Sequence, residues 1–84
     1  MTELRDKASR GSKAKQLLEN ELLNEVLDRL DKDVFILWKS SQADEEIRNR
    51  LWYTYQGLQT FRETLIRYAA DGRAAEKQLK EIHK

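Results

Sequence analysis

The sequence predicts an all-α protein: an antiparallel helical hairpin of two long amphipathic helices that assembles into a helical bundle. Three observations lead there. The 84 residues include no proline, only three glycines and 37% charged side chains, which suits helices because they need few turn residues and tolerate charge on their outer faces. From Ile47 to Ile82 apolar residues repeat every seven positions in two interleaved rows. Leu51, Leu58, Leu65 and Leu79 form one row with Gly72 in its remaining place, and Ile47, Phe61, Tyr68, Ala75 and Ile82 form the other, broken only by Thr54. This spacing presents one continuous seam to a partner helix. A shorter amphipathic pattern precedes it, and the two make a hairpin.

Residues 1–15 read as a flexible basic arm, disordered or loosely helical, because they have little apolar content, include Ser9, Gly11 and Ser12, and show no helical stripe. Arg5, Lys7, Arg10, Lys13 and Lys15 against Glu3 and Asp6 give the arm a balance of +3. It is either a solvated tail or a tether to phosphate or an acidic protein surface. Residues 16–84 form the expected hairpin domain.

The first helix is expected from Lys15–Glu19 to about Ser41, since Leu23, Leu27, Leu30, Val34 and Leu37 alternate at steps of four and three. Glu19, Glu21 and Glu25 suit the positive end of its dipole and Lys39 the negative end. Ser40-Ser41-Gln42-Ala43-Asp44 is the polar break, where Ser41 or Asp44 can cap the next helix. The second helix starts near Asp44. Asp71-Gly72 resembles a C-cap, yet Ala75, Leu79 and Ile82 keep the register beyond it, so the helix is expected to continue or kink there.

Two helices packed through one seam leave much uncovered. Leu18, Leu22, Val26, Phe35, Ile36 and Trp38 fall off the first seam, and Trp52, Tyr53, Tyr55 and Ile66 off the second. Burying each is worth roughly 1.5–3 kcal/mol, a large share of a small domain's stability. The expectation is a dimer or higher oligomer, in which an acidic first helix and a slightly basic second helix suit antiparallel neighbours. The expected interface residues are Phe35, Trp38, Trp52, Tyr53, Tyr55 and Ile66.

Chemistry is sparse. The one histidine, His83, stands next to the last residue and is expected to be solvated, with no nucleophile–base pair to serve. Cysteine is absent, which removes disulfides and thiolate metal ligation, and neither a phosphate loop nor a His-x-x-x-His pair is present. Glu21, Glu25 and Asp28 share a helical face, a spacing common in any acidic helix. No enzyme, cofactor, metal or small-molecule substrate is expected. No window approaches the ~20 apolar residues of a membrane span, and the first thirty lack a signal-peptide core, so a cytoplasmic protein is expected.

Arg48-Asn49-Arg50-Leu51-Trp52-Tyr53-Thr54-Tyr55 sets basic residues beside aromatics. Such a run closes a hairpin end, forms a protein interface, or holds phosphate and stacks on bases. Candidate nucleic-acid contacts are therefore Arg5, Lys7, Arg10, Lys13, Lys15, Arg48 and Arg50. The net charge of only +1 argues against a surface built wholly for nucleic acid.

Leu18-Glu19-Asn20, the acidic helix ending at Trp38, the restart at Asp44, Leu51-Trp52, and Gly72 with Ala75 and Leu79 together resemble small helical proteins of tailed bacteriophages and prophages. The resemblance covers about residues 17–79. It implies an accessory or virion-associated protein in a bacterial host that works by binding itself and another protein, in the company of small packaging subunits, scaffolding factors and host-directed inhibitors. A DNA-reading packaging subunit would be expected to carry a helix-turn-helix, which this chain lacks.

Overall fold

The computed structural model describes residues 2–41 and 44–82. Among them are three helices and no strands: α1 Thr2–Leu18, α2 Glu21–Ser40 and α3 Glu45–Ile82. The all-α class is as expected, whereas the two-helix hairpin is corrected to three helices. The chain divides into two compact units. One joins the residues up to Asn20 with those from Glu63 onward, and the other is Glu21–Arg62.

In the first unit α1 runs antiparallel to the second half of α3, and the contact is made by the smallest residues in the chain. Gly11, Ala14, Gly72 and Ala75 are buried. A Cβ placed on Gly11 would lie 2.5 Å from the Gly72 Cα and 2.8 Å from the Tyr68 carbonyl oxygen, so the two backbones touch and dispersion contact replaces side-chain interdigitation. Residues 1–15, expected as a disordered or loosely helical arm, belong to α1 over the described positions. Leu4, Gly11 and Leu18 repeat every seven residues, as do Lys7 and Ala14, and all five are buried or half-buried. This is a heptad face too small in volume to register as hydrophobic. Lys7 joins it through its aliphatic stem while its Nζ stays 3.6 Å from Glu3 Oε1.

Gly72 lies inside α3 and no glycine has positive φ, so Asp71-Gly72 is a helix crossing and not a cap. The register across it runs on, as its spacing indicates.

The expected first helix is interrupted. Glu19 N donates to the Lys15 carbonyl at 3.0 Å and Asn20 N to that of Leu17 at 3.1 Å, which closes α1 before Glu21 opens α2 with its charge at the positive end of the dipole.

In the second unit α2 lies antiparallel to the first half of α3. The Ile47 amide donates to Asp44 Oδ1 at 3.1 Å, so Asp44 caps α3. Ser41 turns the other way: its hydroxyl donates to the Trp38 carbonyl at 3.1 Å and satisfies the end of α2. Gln42 and Ala43 lie outside the described residues. Asp44→Ala is expected to cost about 1 kcal/mol, read as a lowered urea midpoint with an unchanged slope. An unchanged midpoint would remove the cap from the account.

The inner face of α2 differs from the expected seam. Leu27 is buried at 7% exposure and Leu23, Asp31, Val34 and Trp38 are half-buried, while Leu30 and Leu37 point outward. The helix carries two apolar stripes, and the one containing Trp38 meets α3 because the indole reaches across to Trp52.

Candidate interaction surface

The second unit is a thin hairpin: Leu27 is its one buried apolar residue among those described. Its apolar side chains therefore form grooves on both flanks. One groove, of about 310 Å³, is lined by Val34, Phe35, Trp38, Leu51, Trp52 and Tyr55, with Asp31 as its one carboxylate. The Trp38 and Trp52 ring centroids are 6.4 Å apart and tilted by 53°, and Trp52 stacks on Tyr55 at 6.0 Å, separations at which aromatic rings attract through their quadrupoles. The Arg48 guanidinium caps the cluster 4.4 Å above the Trp38 ring. On the opposite flank Leu37, Ile47 and Leu51 line a second apolar groove with Ser40, Ser41 and Asp44.

An ion pair pins the hairpin between these flanks. Arg62 Nη1 donates to Asp31 Oδ2, and Nη2 lies 3.5 Å from Asp28 Oδ1. The other Asp31 oxygen is buried with no hydrogen-bond partner, so Arg62 is the group that makes burial of that carboxylate tolerable. The sequence does not mark either acid as the partner of Arg62. A charge lying thirty-one residues away on a second helix leaves no local spacing to find.

Of the expected interface residues, Phe35, Trp38, Trp52 and Tyr55 meet in one groove. Tyr53 is separate, 70% exposed on α3, and Ile66 belongs to the other unit, where it lines a groove with Gly11, Leu18 and Gly72. Several of the candidate nucleic-acid residues have partners within their own unit. Arg48 covers Trp38, Arg10 covers Tyr68 at 4.3 Å, Arg50 pairs with Glu46 at 2.9 Å and Lys7 with Glu3, while Arg5, Lys13 and Lys15 are carried by α1. Among the described residues no group of three His, Cys, Asp or Glu could hold a metal, Glu21, Glu25 and Asp28 included, and no helix is long and apolar enough to cross a membrane. His83 lies outside the described residues.

Comparison with known protein families, with curated proteins and with solved structures finds no match for this chain.

Proposed function

We propose that the chain is a non-catalytic helical protein–protein interaction module that associates with itself and with another protein. The observation that carries this reading is the outward set of large apolar side chains on a hairpin with almost no core: Leu22, Phe35, Ile36 and Tyr53 are each more than 60% exposed. Large apolar side chains left in water on this scale point to a binding face, and Trp38, Trp52, Tyr55 and Arg48, which do cluster, are of the residue types that dominate such faces. The resemblance of residues 17–79 to small phage and prophage proteins supports a role as an accessory or virion-assembly factor in a bacterial host cell.

The DNA-binding alternative is less well supported, because two of its arginines lie on aromatic rings and a third on Glu46. Titration of random-sequence duplex DNA separates the two. The expected result is no saturable binding at moderate salt and a solution mass that does not change as salt rises. Saturable binding that weakens roughly 10³-fold between 50 and 200 mM salt would replace the interaction module with a phosphate-binding protein.

A further inference from the structure

We infer that the groove between α1 and the second half of α3 docks an amphipathic helix of another protein, one whose apolar stripe is flanked by Asp and Glu. The inference rests on the reading of the chain as an interaction module and names the chemistry of one partner. With the backbones in contact at Gly11 and Gly72, the side chains beside the crossing on both helices border a single groove of about 380 Å³. Its floor is apolar. Leu18, Ile66 and Ala69 line it, and Ile66 is 55% exposed.

The charge around that floor selects the occupant. Lys15 borders the groove from α1 and Arg73 from α3. Heptad spacing extends both rows, since Arg5 lies seven residues before the groove residue Ser12 and Lys80 seven after Arg73. Glu19 and Glu76 border the groove as well, so four bases stand against two acids. All six are exposed, and among the described residues no ion pair joins them. The other side of the crossing differs. There Lys7 pairs with Glu3 and Arg10 lies over Tyr68, so its bases are already engaged.

A helix laid along the groove matches this pattern. From Arg5 to Leu18 α1 runs roughly 20 Å at 1.5 Å per residue, so a partner helix of about four turns spans it. Its apolar stripe seats on Ile66 and Leu18, which is recognition of a helix in a groove. Acids on its two flanks then meet Lys15 and Arg5 on one side and Arg73 and Lys80 on the other, and this opposition of charge decides which helices are accepted. A phosphate backbone fits less well. Charged at every step, it cannot avoid Glu19 and Glu76, whereas a helix can place its acids opposite the bases alone.

The test uses the full chain and a labelled helical peptide of about 18 residues, long enough for the groove, with Leu at every third and fourth position and Glu on both flanks. A twin peptide carries Lys in place of each Glu. In about 50 mM salt, where charges act over more than about 10 Å, fluorescence anisotropy should show the Glu peptide binding more tightly than its twin by roughly 10-fold or more. Arg73→Glu with Lys80→Glu should reverse that preference, and Ile66→Ser should weaken the Glu peptide by roughly 5-fold, both with the helical signal unchanged. Equal binding of the two peptides, binding of neither, or binding that either variant leaves unaltered would overturn the proposal. If the double reversal loses its helical signal, Arg73→Gln with Lys80→Gln decides, because it removes the charge without adding repulsion. A free chain that is a dimer and falls to the 10.0 kDa monomer on double reversal would give the groove to a second copy and also overturn it. Failure of the peptide leaves the interaction module standing, whereas saturable binding in the DNA titration removes both.

Discussion

Gly72→Val is expected to detach α1 from α3 at a cost of roughly 3 kcal/mol, the upper end of what overpacking costs. A Cβ at Gly72 would stand 2.6 Å from the Gly11 Cα and 3.1 Å from the Lys7 carbonyl oxygen. Both obstacles are backbone, so neither can rotate aside as a side chain would. The helices must separate, and separation also strips the contacts of Ala14 and Ala75, since such close crossing is the only geometry in which residues this small touch. Hydrogen exchange should show α1 amides losing protection while α2 keeps its own, and the helical signal should fall by no more than the 17 residues of α1. Gly57 supplies the control. Nothing lies within 4 Å of a Cβ there, so Gly57→Ala is expected to stabilise the protein by about 0.5–1 kcal/mol through helix propensity. Equal effects at positions 57 and 72 would mean that the crossing contributes nothing.

Arg62→Ala is expected to destabilise the hairpin by about 2 kcal/mol. Arg62 and Asp31 are only 25% and 28% exposed, and truncation leaves the Asp31 carboxylate partly buried with both oxygens unpartnered, the situation in which removing one member of a pair costs most. Asp28 is 74% exposed, and Asp28→Ala should cost no more than a surface pair, below about 1 kcal/mol. Replacing both partners, Arg62→Leu with Asp31→Leu, should recover most of the loss because no uncompensated charge remains. Chemical denaturation of the four proteins closes the cycle. A double variant as unstable as Arg62→Ala would show that Arg62 acts by packing its stem and not by pairing.

The legible parts of this fold were those written in large side chains or local spacing. The heptads from Ile47 to Ile82 identified α3 and carried it through Gly72, and the polar segment around Ser41 located the turn before it. Phe35, Trp38, Trp52, Tyr53, Tyr55 and Ile66 are all expected at an interface because apolar side chains off a seam need a partner, and the structure gathers four of them, Phe35, Trp38, Trp52 and Tyr55, into one groove. The rest was hidden for two physical reasons. Glycine and alanine contribute to packing by letting backbones approach, a property of the pair of helices, so Gly11 looked like a loop residue until Gly72 was opposite it. And α2 has apolar residues on more than one side, so its periodicity puts Leu30 and Leu37 in the seam and Trp38 off it, whereas the cross-helix indole contact and the Arg62–Asp31 pair turn the Trp38 side toward α3.

The two units are not equivalent in how their chain closes. The hairpin brings together neighbours along the sequence, as Trp38 and Trp52 show, whereas the Gly11–Gly72 crossing joins distant parts of the chain, with the hairpin contained in the loop it closes. Closing that loop is easier when its interior is already folded, because a compact insert holds the ends closer than an open chain of the same length. Damage should therefore travel in one direction. Loss of Arg62 is expected to loosen the attachment of α1 as well, while loss of the glycine contact leaves the hairpin standing.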